Sequence, residues 1–174
     1  MDKTFLGMEV EIMNEKKALV AFFSATGVTA KIAEKVAKVV EGDLFEIVPA
    51  EPYTKDDLNW HDGMSRSSLE MNDRSSRPEI AHMVDGMERY ETIFIGFPIW
   101  WYVAPRIIQT FLESYDFSGK KISLFATSGM SGMGDTQEIL RLSCPGAATW
   151  GAGRRFSESA SESEINRWVG KSSF

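Results

Sequence analysis

"FFSATGVTAKIAEKVA", Phe22–Ala37, is the stretch on which the fold turns. Apolar residues run up to Phe23, a small polar turn follows, and then Val28, Ile32, Val36 and Val40 recur at helical spacing while Lys31, Glu34, Lys35 and Lys38 face away. A strand that ends in a tight turn and leads straight into a helix begins a βαβ unit. The turn itself, "SATGVT", Ser24–Thr29, holds neither lysine nor arginine. At a helix start the first backbone N–H groups lack intrahelical partners and the dipole is positive, so an anion is favoured without any cationic side chain. Ser24, Thr26 and Thr29 add hydroxyls, and Gly27 lets the backbone close in. The Walker pattern GxxxxGK[ST] is not met, and no magnesium-binding acid stands at the strand end. Lys31 falls on the helix beyond the turn and adds only distant charge. The turn therefore suits a terminal monoester phosphate wrapped by dipoles. The competing reading is an ordinary strand-to-helix turn in which Ser24 or Thr26 caps the helix.

Further strands read outward from this one as short, unalternating apolar runs. They are Ala18–Phe23, Asp43–Val48, Thr92–Phe97, Ile122–Ala126 and a fifth within Ala148–Phe156. Continuous apolar strands belong to a parallel sheet covered on both faces. Helices are expected between them. The first ends at Gly42. A second spans Val103–Ser114 with Pro105 in its first turn, and a third runs from Asp135 to Leu142 and stops before Pro145. The last spans Ser161–Val169, where "SESE" forms a capping box. Alternating strands and helices give right-handed crossovers and a doubly wound sheet. The stretch from Glu51 to Tyr90 exceeds a simple crossover; "KDDLNW" (Lys55–Trp60) and "RSSLEM" (Arg66–Met71) read as helical, and "NDRSSRP" (Asn72–Pro78) as a loop. Residues 16–174 form one domain, and residues 1–15 an extension that is either an extra edge strand or a disordered tail.

Composition bounds the rest. The chain has 174 residues, a net charge of −6 and one cysteine, Cys144. The charge argues against nucleic acid, and the single cysteine forbids an internal disulfide and fits a reducing cytoplasm. The longest apolar run, "TIFIGFPIWWYVAP", Thr92–Pro105, is shorter than the ~20 residues of a membrane helix and contains two prolines, so no membrane association is expected. The first residues are too acidic for a signal peptide. His61 and His82 have no ligand set around them, so no metal is assigned. Cys144 reads as a buried structural thiol. "GAGRRF", Gly151–Phe156, lacks the third glycine of a dinucleotide fingerprint and reads as the fifth strand. Arg66, Glu70, Arg74 and Arg77 read either as a solvated face or as a segment closing over the ligand.

In an open parallel sheet ligands bind beyond the carboxyl ends of the strands. The third strand ends in "PIWWYVAP", with Pro98, Ile99, Trp100, Trp101 and Tyr102, and three adjacent aromatics cannot all point into one core. The fourth ends in "TSGMSGMG", with Thr127, Ser128, Gly129, Met130, Ser131 and Gly132, small residues suited to close backbone approach. Core packing or a dimer contact competes for the tryptophans, and a flexible loop for the second stretch. Together with Ser24, Ala25, Thr26, Gly27, Val28 and Thr29, these residues form the candidate site.

This constellation resembles the flavodoxin family. "SATGVT" corresponds to its phosphate loop, "PIWWYVAP" to its first flavin loop and "TSGMSG" to its second; "MERYETIFIGFPIWW" and "FLESYDFSGKKISLFATSG" extend the resemblance, which covers Lys17–Val169. The resemblance implies a three-layer sandwich around a five-stranded parallel sheet in the order 2-1-3-4-5, and non-covalent FMN. Two residues depart from it. Relatives often carry glycine at the position of Tyr102, where a peptide turns over as the flavin gains one electron, so Tyr102 argues against strong stabilisation of that state. Relatives often read "TSGGSG", and Met130 replaces a glycine there, its sulfur able to touch the ring edge. A clasp made only of dipoles adds no full positive charge beside the flavin, and an acidic, aromatic pocket is expected to lower its potential. The expected activity is electron transfer between redox partner proteins, a reductase and an acceptor, by a monomer or homodimer. The alternative is an FMN-dependent NAD(P)H:quinone or nitro-compound reductase. A signalling receiver is disfavoured, because "FFSA" offers no acidic cluster at the end of the first strand.

Overall fold

The computed structural model describes residues 17–172 apart from Pro145 and Ala147. The extension 1–15 lies outside the described residues. Strand β1 (Lys17–Phe22) is the second strand of the sheet, between β2 (Asp43–Glu46) and β3 (Tyr90–Pro98). Strand β4 (Lys121–Thr127) follows, and β5 (Thr149–Trp150) and β6 (Arg154–Phe156) pair in turn along its free edge. All these pairings are parallel, and the order is β2-β1-β3-β4-β5. The order reverses at β1, so the crevice for a ligand opens beyond the ends of β1 and β3.

The expected fifth strand is split. Thr149 and Trp150 face Lys121 and Ile122, whereas Arg154 faces Phe125, so residues 151–153 stand opposite only residues 123–124 of β4. That surplus residue is a β-bulge. The second strand is shorter than expected, although the Ile47 N–H still donates to the Phe22 carbonyl at 2.7 Å and carries the ladder one bond further.

Side chains alternate across the sheet and build two cores. Leu19, Ala21, Ile93, Ile95, Ile122 and Leu124 face one side, where helices α3 (Arg106–Glu113) and α4 (Thr136–Leu142) contribute Ile107, Phe111 and Leu140. Val20, Phe22, Phe94 and Phe125 face the other side and meet Ile32 and Val36 of α1 (Val28–Val40) and Ile165 and Trp168 of α5 (Glu162–Lys171).

Local chemistry differs from expectation at four points. Helix α1 ends on Glu41, which takes the left-handed conformation at φ 50°, and not on Gly42. Gly42 is required for closeness instead: a Cβ there would lie 2.7 Å from the Ala18 carbonyl oxygen. The α5 capping box is half formed. Ser161 Oγ accepts from the Glu164 N–H, but the Glu164 carboxylate is taken by Arg154 Nη2 at 2.8 Å. Helix α2 (Arg66–Asn72) forms with Ser65 as its cap. "KDDLNW" forms one turn and no helix: Thr54 and Asp57 exchange a capping pair at 2.9 and 3.1 Å and the Leu58 N–H reaches the Thr54 carbonyl at 3.2 Å, but Asn59 Oδ1 then accepts from the His61 N–H at 3.2 Å and turns the chain away. Pro105 stands just ahead of α3, which starts at Arg106 rather than Val103. No helix among the described residues is long and apolar enough to cross a membrane.

Candidate functional site

The turn after β1 is organised by Ser24, whose Oγ accepts from the N–H groups of Gly27 at 3.1 Å and Ala30 at 3.2 Å. Ser24 thus braces the loop from within, while Gly27, at φ 91°, is the residue that precedes the helix. Neither Ser24 nor Thr26 caps α1 in the ordinary way, since the cap residue makes no side-chain bond. The N–H groups of Ala25, Thr26, Val28 and Thr29 donate to no described residue. Four amides at a helix start without partners make an anion nest. The Thr29 hydroxyl is not part of it: Oγ1 is buried 2.7 Å from Thr127 Oγ1, where it ties the first turn of α1 to the end of β4.

Beyond β3 the backbone folds into a two-residue hairpin. Trp100 and Val103 exchange N–H···O bonds of 2.8 and 3.1 Å, and between them Trp101 and Tyr102 both adopt positive φ, 45° and 69°. This is the geometry of a type I′ turn, which ordinarily selects Asn-Gly. Here two aromatics occupy it and are left exposed, Trp101 at 40% and Tyr102 at 75%. Trp100 turns the other way. Its ring meets the edge of Phe23 at 5.5 Å and of Tyr53 at 5.5 Å. Tyr53 is itself fixed: its hydroxyl donates to Glu70 Oε2, and the Arg66 guanidinium lies 3.9 Å above its ring and donates to Glu70 Oε1 at 2.8 Å. Burial, together with the bond to Glu70, raises the Tyr53 phenol far above its ordinary value, so it stays protonated. Of the charged stretch, Arg66 and Glu70 thus buttress Trp100 through Tyr53, whereas Arg74 is exposed and Arg77 pairs with Glu113 at 2.9 Å.

The loop after β4 is closed by Ser128 Oγ, which donates to the Ser131 carbonyl, and is joined to the first by the Ile99 N–H, 3.0 Å from the Thr127 carbonyl. Arg155 Nη1 donates to the Ser128 carbonyl at 3.1 Å.

These loops enclose one cleft of about 860 Å³. Thr26 and Val28 form one end; Pro98, Ile99, Trp100, Trp101, Tyr102, Thr127, Ser128, Gly129 and Ser131 form much of the remaining wall. Among the expected residues, Ser24, Ala25, Gly27 and Thr29 support the wall without lining it, and Gly132 and Met130 also lie off it. Met130 projects into solvent, 94% exposed, so no ring-edge contact is available to it in this conformation. Five lining residues escaped the sequence reading: Leu58, Trp60 and Ser67 from the crossover, and Ser157 and Glu158 after β6. Trp60 is exposed and its ring stacks 3.5 Å from that of His61. The Glu158 carboxylate, at the phosphate end, pairs with Lys31 Nζ at 3.0 Å, so the lysine's charge is already engaged. Only the aromatic residue type of Trp60 carried a signal in the sequence.

A doubly wound parallel sheet with an anion nest beyond β1 and an aromatic cleft beyond β3 and β4 defines a mononucleotide-binding α/β protein. The chain belongs to the flavodoxin family, whose model matches residues 17–172. A solved Bacteroides uniformis protein, assigned as a flavoprotein, is 49% identical, with coverage of 90% of this chain and 99% of that one and a TM-score of 0.85. A similarly assigned Bacteroides eggerthii protein is 46% identical, with coverage of 88% and 96% and a TM-score of 0.84. A Lactobacillus acidophilus flavoprotein, solved in complex with FMN, is 22% identical, covers 88% and 99%, and shares the fold at a TM-score of 0.67. Among curated proteins none matches the chain.

Proposed function

We propose that the cleft holds FMN non-covalently and that the protein passes electrons between a reductase and an acceptor protein in the cytoplasm. The observation that carries this reading is a turn with unpartnered amides at Ala25, Thr26, Val28 and Thr29, which meets through Thr26 and Val28 a cleft that Trp100, Trp101 and Tyr102 also wall. The amides suit a phosphate monoester, and the aromatic wall suits a flat heterocycle. FMN supplies the one- and two-electron chemistry, and the protein supplies position and electrostatics. Ser24 keeps the nest open by occupying the two amides that point inward, those of Gly27 and Ala30. Trp100, held by Phe23, Tyr53 and Val103, would give the heterocycle a fixed apolar wall and keep water from that part of the cleft. Ser128, Gly129 and Ser131 offer backbone groups to the edge of the heterocycle.

One observation favours the alternative, an NAD(P)H:quinone or nitro-compound reductase: Leu58 and Trp60 extend the cleft past the three strand-end loops, and an acceptor ring fits against them. Reduction by NADPH alone separates the two. A carrier stays oxidised until a partner reductase is added, and then bleaches. An enzyme bleaches with NADPH alone and turns over with a quinone. A preparation that stays colourless after soaking in FMN refutes both.

A further inference from the structure

We propose that Arg155 sets the reduction potential of the bound flavin, by placing a positive charge with no carboxylate partner directly behind the wall of the cleft. The inference rests on the FMN reading above. Arg154 and Arg155 are neighbours in β6 and point to opposite faces of the sheet. Arg154 faces α5, where Glu164 neutralises it at 2.8 Å. Arg155 faces the other way and donates Nη1 to the Ser128 carbonyl at 3.1 Å. No carboxylate among the described residues pairs with it. Ser128 lines the cleft, so the guanidinium stands one residue behind its wall. The acidic group that lines the cleft, Glu158, is already paired with Lys31.

An arginine stays charged at any working pH, and a half-buried charge is weakly screened. A flavin that takes up two electrons and one proton gains one negative charge, with electrons from the reductant and the proton from solvent. A cation directly behind the wall stabilises that form more than the oxidised one. The phosphate clasp stays one of dipoles, and Arg155 departs only from the expectation that no full positive charge stands beside the flavin. A role for Arg155 on the phosphate is disfavoured by its face: α1, which carries the anion nest, packs on the opposite side of the sheet.

The test uses the full chain loaded with FMN and compares the dissociation constants of oxidised and dithionite-reduced cofactor. Arg155→Gln keeps a neutral donor to the Ser128 carbonyl and removes the charge; Arg155→Met removes both and serves if the glutamine variant does not fold. Arg155→Lys keeps the charge. The expected result is that either neutral variant weakens the reduced cofactor about tenfold more than the oxidised one, a fall of about 30 mV in the two-electron midpoint. The lysine variant stays near the parent protein. Equal weakening of both redox forms, an unchanged ratio, or a lysine variant that behaves like glutamine overturns the role of the charge. Failure of the parent chain to take up FMN overturns instead the cofactor reading on which the inference stands.

Discussion

Two turns at the carboxyl ends of neighbouring strands make the same backbone demand and answer it in opposite ways. After β1, the left-handed residue is Gly27, at φ 91°, with no Cβ to strain. After β3, the left-handed residues are Trp101 and Tyr102, two of the bulkiest side chains available. The first turn obeys local preference and leaves its amides free. The second opposes local preference and gains two aromatic rings set at the mouth of the cleft. A left-handed residue other than glycine costs ~1–2 kcal/mol, and such strain persists only where surrounding contacts impose it. The contacts here are the Trp100–Val103 backbone pair and the packing of Trp100 on Phe23 and Tyr53. The comparison teaches that strain, and not regularity, marks the side of the cleft that aromatic rings wall.

Replacing both aromatics, Trp101→Asn with Tyr102→Gly, breaks the comparison most directly. The apoprotein is expected to gain about 2 kcal/mol as two strained positions are relieved, while FMN binding weakens by tenfold or more. Thermal melts of the apoprotein and a fluorescence titration measure the two halves, and a destabilised apoprotein would show the turn to be unstrained. Gly27→Ala has the same sign on binding and the opposite sign on stability. Nothing lies within 4 Å of the added Cβ, so the loss of about 1 kcal/mol comes from φ alone. Chemical denaturation measures it. The smallest effect belongs to Asp57, which the Thr54 amide, helped by the Thr54 hydroxyl, holds below the ordinary carboxylate value. A lowered folded value means that the contribution is present above pH 3.8 and is lost as pH falls through the folded value. Stability measured against pH should therefore flatten at its acid end in Asp57→Asn, and an unchanged profile would remove Asp57 from the account of the crossover.

The contrast between the turns also explains which parts of the fold were legible. Helix α1 and the three loops are written in periodicity and in glycine placement, features local to a few residues, whereas the strand order came only with the resemblance to the flavodoxin family. Gly27 was legible for the same reason. The positive φ of Trp101 and Tyr102 was not, because distant packing imposes it against local preference. "KDDLNW" reads as helical by composition, yet after the single turn that Thr54 and Asp57 cap, the Asn59 side chain takes the His61 N–H and ends it. Glu41 takes the left-handed helix end, and Gly42 is needed beside it because a Cβ there would lie 2.7 Å from the Ala18 carbonyl oxygen, a contact across sequence. Trp60, Leu58 and Glu158 reach the cleft from segments that carry no spacing signal. Tyr53, Arg66 and Glu70 appeared only as charge and aromaticity, and their joint action on Trp100 is a matter of three-dimensional arrangement.

The surplus residue at 151–153 acts as a parity switch. Trp150 lies on the α3–α4 side of the sheet, and strict alternation from it would carry Arg154 to that same side and send Arg155 to the α5 side. The bulge transposes them, giving Glu164 its partner and Ser128 the other. Two adjacent residues of identical chemistry thus acquire unlike duties from a count of backbone units alone. Ironing the strand flat at constant length would exchange those duties without altering a single side chain.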